Sequence, residues 1–257
     1  MDRSAAIELQ HRSLAAFVRL LASGCQSSDL FERDGVLGAI VPVCPDRSVL
    51  NSVTYRDPGT LAGALQELAA AQDAAGVEAW TVWVPEDDRD AAATLEAAGH
   101  RLDATPMAMT LELGGLPDPE TEELDWDDRA ATADVGRIND LAYGYPVPTF
   151  GTAITDLAAD PPLRLYQARV GGEPASVMGT LDDGDDCGVY FVATLKEHRG
   201  KGLARRLMHV ALAEARERGL RTSTLQATKL GYPVYERLGY EAICRLQMWE
   251  RRTADAD

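Results

Sequence analysis

Residues 188–208, GVYFVATLKEHRGKGLARRLM, leave the chain little freedom in its local fold. The β-branched and aromatic run Val189 to Ala193 fits a buried strand, Arg199-Gly200-Lys201-Gly202 is a glycine-rich turn, and a helical pattern opens at Leu203. A strand that passes through a tight loop into a helix makes an anion cradle. Glycine lets the backbone turn sharply, and the first N–H groups of a helix lack internal acceptors and sit at the positive end of its dipole. A phosphate or pyrophosphate suits that geometry.

What the loop lacks narrows the choice. A Walker loop needs Ser or Thr after its lysine, and Gly202 follows Lys201. A dinucleotide fingerprint needs a third glycine where Arg205 stands and usually opens a first βαβ unit. A glycine-rich helix start with no ligand stays open on this segment alone. A second segment, Gly231–Tyr240 (GYPVYERLGY), follows after an amphipathic helix (Leu203, Leu207, Val210, Ala211, Glu214) that closes near Gly219 and a strand-like Thr222–Ala227.

In this order and spacing the two segments resemble the GCN5-related N-acetyltransferases. That family's acetyl-CoA loop reads Arg or Gln, two residues, Gly, one residue, then Gly or Ala, and Arg199, Gly202 and Ala204 fill it. Its later pattern of Tyr, three residues, Gly and an aromatic is filled by Tyr235, Gly239 and Tyr240. The resemblance covers the second half of the chain. It implies an α/β (α+β) fold, a mixed and mostly antiparallel sheet flanked by helices. It also implies direct transfer of an acetyl group from acetyl-CoA to a primary amine of a small molecule or peptide.

The resemblance further implies roles for individual residues. Backbone groups of Phe191, Val192, Ala193 and Thr194 would meet the pantetheine arm, one of them polarising the thioester carbonyl. Arg199, Gly200, Lys201, Gly202, Leu203 and Ala204 would hold the pyrophosphate. Tyr235 sits where the family places the acid that protonates the departing CoA sulfur. Tyr143, Tyr145 and Phe150, in a proline-interrupted connection, and Tyr190 are candidate acceptor walls. Asp185, Asp186 and Tyr190 lie near the start of the central strand, and none is assigned as base. Gly231 stands where many relatives carry Asn, which puts one CoA contact in question. A non-catalytic CoA-binding or ligand-sensing module is the alternative.

Composition bounds the rest. The 257 residues make one large domain or two ordinary ones, and 46% hydrophobic with 26% charged content is that of a soluble globular protein. A net charge of −16 argues against nucleic acid and weakly favours cationic acceptors such as polyamines, aminoglycosides or amino acid derivatives. Cys25, Cys44, Cys187 and Cys244 show no C-x-x-C spacing and the four histidines are scattered, so no disulfide framework and no metal is expected. With neither a leader pattern nor a spanning stretch, no membrane association and a cytoplasmic location are expected, as a monomer or homodimer.

The first half reads as a helix (Ala6–Ser23), a hairpin (Gly35–Val43 with Ser48–Tyr55), a helix (Leu61–Ala75), a strand (Ala79–Val84), a helix (Asp88–Ala98) and an extended stretch (Arg101–Leu113). Aligning Ala75-Gly76-Val77 with Arg218-Gly219-Leu220, and LEAAGH at Leu95–His100 with YERLGY at Tyr235–Tyr240, suggests a diverged tandem duplication. The first copy has Asp57-Pro58 where the cradle needs glycine and free N–H groups, and Leu95 where the second has Tyr235, so it is expected to bind no CoA. The expected layout is a degenerate copy over 1–115, a linker over 116–123 within the Gly-, Pro- and acid-rich stretch GGLPDPETEE (114–123), a catalytic domain over 124–252 and a disordered tail over 253–257. Val135, Ile138 and Leu141 are expected on one apolar helix face, and the later arginines, Arg206, Arg216 and Arg218, to be helix-surface residues paired with Glu214 and Glu217.

Overall fold

The structure, a computed structural model, describes residues 1–157 and 163–253. Asp2 caps the first helix, α1 (Arg3–Ala22), by accepting from the Ala5 N–H, and the helix turns Leu14, Phe17, Val18 and Leu21 inward. Gly24 follows because a Cβ there would come within 2.2 Å of the Ala153 carbonyl oxygen. β1 (Asp29–Arg33) and β2 (Val36–Ile40) form a hairpin turning at Asp34 and Gly35, both at positive φ. Sequence reading missed β1: it is an edge strand with one neighbour, and its DLFER carries no buried alternation.

The first half continues with β3 (Ser52–Thr54), α2 (Pro58–Ala74), β4 (Ala79–Pro85) and α3 (Arg89–Ala97). The stretch expected as one extended run is two strands, β5 (Arg101–Ala104) and β6 (Met107–Glu112), broken at Thr105-Pro106. The second half runs β7 (Trp126–Asp127), α4 (Thr132–Tyr143), α5 (Thr149–Ala153), β8 (Leu163–Val170), β9 (Glu173–Asp183) and β10 (Asp186–Thr194). It ends with α6 (Leu203–Glu217), β11 (Thr222–Ala227), α7 (Tyr232–Arg237) and β12 (Glu241–Arg252). Hairpin, strand, helix, parallel strand, helix recurs in both halves: β1-β2-β3-α2-β4-α3 and β8-β9-β10-α6-β11-α7.

All the strands join one sheet, in the order β1-β2-β3-β4-β12-β6-β11-β10-β9-β8-β7, with β5 beside β12. Among the strands of the described residues, β3 with β4 and β10 with β11 run parallel and the other pairs antiparallel, so the sheet is mixed and mostly antiparallel as expected. The halves exchange strands. β6 of the first half lies between β11 and β12, while β12 pairs with β6 over Glu241–Arg245 and with β4 over Leu246–Arg252. Helix α1 lies along this seam, where Gln10 Nε2 donates to the Met109 and Leu225 carbonyls, one from each half. Apolar faces close the sheet on both sides: on one, Leu207, Met208 and Ala211 of α6 pack with Met109 and Leu225, and Leu61 and Leu68 of α2 pack with Trp80 and Val82; on the other, Phe17, Val18 and Leu21 of α1 and Val135 and Ile138 of α4 pack with Leu165 and Val177.

Three surface expectations need correction. Leu141 is 50% exposed, because α4 buries Val135, Ile138 and Asn139 and the next turn rotates Leu141 outward. Arg218 pairs with Asp182, at 2.9 Å, and Arg216 with Asp118 and the Leu116 carbonyl, so these arginines tie α6 to neighbouring elements and not to its own glutamates. Arg206 likewise donates to the Glu122 carbonyl, which lays residues 116–122 along α6. All four cysteines are buried and unpaired. Among the described residues no helix is long and apolar enough to cross a membrane. Of the tail expected at 253–257, all but Thr253 lies outside the described residues.

Candidate active site

The parallel pairing of β10 with β11 stops early. It covers Asp186–Gly188 against Thr222–Thr224, and beyond Gly188 the two strands separate. In the same place the register of β10 against β9 shifts between Tyr190 and Ala193, with Phe191 at φ 59. A phenylalanine in that region is strained, and packing holds it there. Its ring meets Phe150 edge-on at 5.1 Å and Phe17 at 5.8 Å, and Gly179 opposite has no side chain to meet it, since a Cβ would lie 3.1 Å from the ring. The bulge lifts Val192 out of the ladder, and its carbonyl accepts a long bond, 3.4 Å, from the Tyr143 hydroxyl. Ala193 and Thr194 rejoin the ladder opposite Val177 and Ser176.

The glycine loop then delivers α6. Gly200 and Gly202 have φ 77 and 76, and a Cβ on either would meet nothing within 4 Å. Only glycine takes this conformation without strain. The Arg206 N–H makes the first helical bond, to the Gly202 carbonyl, which leaves the N–H groups of Leu203, Ala204 and Arg205 without helical acceptors and with no side-chain cap. The corresponding start of α2 is filled: Asp57 accepts from the Gly59 and Thr60 N–H groups and Pro58 has none to offer. Arg199 is already engaged, its Nε donating to the Thr194 carbonyl and its Nη2 to that of Ala142, so it clamps the loop to β10 and α4. Lys201 is exposed, 3.3 Å from His198 Nδ1. Leu203 turns its side chain into the core and offers the loop only its backbone.

A cavity of about 560 Å³ opens where β10 and β11 part. Val189–Val192, Leu225 and Tyr235 form one side of its lining. Tyr235 is 9% exposed, its hydroxyl bonds no group among the described residues, and burial raises its pKa above the ordinary phenol value. Gly231 explains the ring's position: a Cβ there would stand 2.7 Å from Tyr235 Cε2 and 3.1 Å from its hydroxyl oxygen. The glycine at the family's Asn position makes room for the tyrosine.

Tyr143, Tyr145, Phe150 and Tyr190 all line this cavity, but the three tyrosine hydroxyls differ in availability. The Tyr190 hydroxyl donates to the Ser13 carbonyl and lies 2.6 Å from Ser13 Oγ, and its ring stacks on Phe17 at 4.3 Å, so it is fixed to α1. Asp185 is held by Arg12 and Arg221 and Asp186 accepts from Thr222 and Thr224; neither lines the cavity. Burial pushes the Asp186 carboxyl up to about 6, outweighing those two hydroxyls.

Sequence reading missed the first half's share of the lining: Arg47, Leu50, Trp83, Asp103 and Pro106, with Met248 of β12. No local pattern marks them, because only the packing of the two halves brings them there.

Residues 122–240 match the model of the acetyltransferase (GNAT) family. No curated protein matches the chain by sequence. Among solved structures, it is similar over 95% of its length to 97% of a GCN5-related N-acetyltransferase from Kribbella flavida, at 20% identity and a TM-score of 0.66. A GCN5-related N-acetyltransferase from Sphaerobacter thermophilus matches with a TM-score of 0.60 at 17% identity, covering 98% of this chain and 94% of that one. A tandem GNAT protein from the clavulanic acid biosynthesis pathway matches with a TM-score of 0.58 at 13% identity, covering 95% and 96%. The chain therefore has the fold of the GCN5-related N-acetyltransferases, and residues 122–240 carry that family's sequence pattern.

Proposed function

We propose that this chain is an acetyl-CoA-dependent N-acetyltransferase that moves the acetyl group directly to a primary amine of a small molecule or peptide. One observation carries the reading: beyond Gly188 the central strands part around a cavity that has Tyr235 on its wall and the uncapped start of α6 next in sequence to β10. Acetyl-CoA would supply the acetyl group as an activated thioester. The free N–H groups of Leu203 and Ala204 suit its pyrophosphate, with Lys201 adding charge, and the open space around Gly200 and Gly202 allows close approach. Arg199 acts by holding the loop on Thr194 and Ala142. Val192, out of the ladder, offers its backbone to the amide-rich arm and to the carbonyl that becomes negative.

Tyr235 keeps its proton through the neutral range because burial disfavours the phenolate. Its unshared hydroxyl donates to the leaving sulfur and yields the proton as charge builds there. Residues 1–115 act as a degenerate copy in which Asp57 occupies the N–H groups a phosphate would need, and residues 124–252 carry the catalysis. The test is release of free CoA thiol from acetyl-CoA on adding a panel of primary amines, wild type beside Tyr235→Phe. Amine-dependent release that falls in the variant supports the reading. Binding of acetyl-CoA without release for any amine would leave a CoA-binding module instead.

A further inference from the structure

We infer that the first half of the chain builds the acceptor site, and that this site takes a primary amine with an apolar or aromatic body and a carboxyl-derived oxygen. An apolar amino acid, or the first residue of a peptide, has that chemistry. The inference rests on the acetyl-transfer reading and adds to it the class of acceptor.

The cavity's lining mixes residues of both halves. With the thioester along the second half's strand and Tyr235, the amine meets the remaining lining, where Leu50, Trp83, Pro106 and Met248 present apolar and aromatic surface. Although the chain has a net charge of −16, the acid is not here. Among the described residues the lining carries one carboxylate, Asp103, against Arg47 and Lys229. A polyamine or aminoglycoside would bring several ammonium groups to rings that cannot pair them, and burying an unpaired charge is strongly unfavourable. The weak preference for cations drawn from bulk charge therefore fails at the cavity.

Arg47 supplies the positive selection. It is 5% exposed, its Nη1 donates to the fully buried Asp140 at 3.0 Å, and its guanidinium lies 3.7 Å over the Tyr145 ring. Its Nε is buried with no partner, and Nη2 makes no hydrogen bond among the described residues. A guanidinium held flat with donors unused is built to receive an oxygen, and arginine reads planar carboxyl geometry particularly well. Size agrees: about 560 Å³ must also admit the acetyl end of the donor, which leaves room for one residue-sized acceptor.

The test compares phenylalanine, phenylalaninamide, phenethylamine and spermidine as acceptors by CoA thiol release, in wild type and Arg47→Lys. The lysine keeps a cation beside Asp140 but loses the planar fork. We expect kcat/KM for phenylalanine or its amide to exceed that for phenethylamine at least tenfold and for spermidine a hundredfold. Arg47→Lys should erase the first ratio mainly through KM. A merely structural Arg47 would lower phenylalaninamide and phenethylamine alike, and equal or better use of spermidine overturns the proposal. If no amine releases thiol, binding of phenylalaninamide to the CoA-loaded protein, followed by tryptophan fluorescence with Trp83→Phe as control, separates the claims. Arg47-dependent binding then upholds the pocket while the catalytic reading fails, and no binding overturns the pocket itself.

Discussion

Replacing Gly231 by alanine isolates the position of the Tyr235 hydroxyl from everything else at the site. The backbone of Gly231 is helical, φ −77 and ψ −33, so alanine is conformationally at ease and gains ~0.4–1 kcal/mol by restricting the unfolded chain. Its methyl would stand 2.7 Å from Tyr235 Cε2, so the ring must move by about 0.7 Å to reach ordinary contact distance. Crowding of this kind destabilises by ~1–3 kcal/mol, which that gain partly offsets. The fold should survive. A displacement near 1 Å at a reacting group lowers rate by ~10²-fold, so Gly231→Ala should reduce kcat roughly 10- to 100-fold while calorimetric acetyl-CoA affinity stays within about twofold. Because the loss acts through the hydroxyl, adding Gly231→Ala to Tyr235→Phe should cost nothing further. A folded Gly231→Ala protein with wild-type turnover, or a double variant slower than Tyr235→Phe, would refute the assignment of Tyr235.

Three stability predictions follow from buried ionisable groups. His100 is 3% exposed with neither ring nitrogen bonded, and burial pushes it down to about 4 from an ordinary 6.5, so its protonation opposes folding. The stability this withholds is lost as pH falls from 6.5 to 4, on the order of 3 kcal/mol at ~1.4 kcal/mol per pH unit, and His100→Phe should flatten that slope in urea melts. Asp186 runs the other way: its carboxyl, raised to about 6, takes up a proton in the folded state and adds stability as pH falls below 6, so Asp186→Asn should steepen the acid loss. At the seam, Arg47→Met takes the guanidinium from the Asp140 carboxyl at 0% exposure and should destabilise by ~3–5 kcal/mol in equilibrium unfolding.

What the sequence made legible was local. The strand over Val189–Ala193, the glycine turn and the helix after it are written in consecutive residues, and β10 and α6 lie there. The mixed, mostly antiparallel sheet followed from the resemblance. What escaped depends on partners far along the chain. β1 is polar because it is an edge, β6 sits among strands of the other half, and β12 spans both halves, none of which periodicity encodes. The cavity shows the same limit. Tyr190 was legible because it lies in the motif's strand, and Tyr143, Tyr145 and Phe150 because the resemblance places their proline-interrupted connection over the acceptor site, whereas Arg47 stands in a Pro-Asp-Arg turn that reads as solvent-facing and is buried against Asp140 of α4. Even within the motif, the Arg199 contacts with Thr194 and Ala142 required the fold, since α4 must arrive for Ala142 to accept.

The most direct test of the account is a calorimetric titration of acetyl-CoA into the wild-type protein beside Gly202→Asp. Gly202 lies at φ 76 just before the free N–H groups of α6, so aspartate there is strained and would place a carboxylate on them, as Asp57 already does on α2. One site per chain that disappears in the variant is the predicted result. Two sites per chain, or one that survives Gly202→Asp, would contradict it.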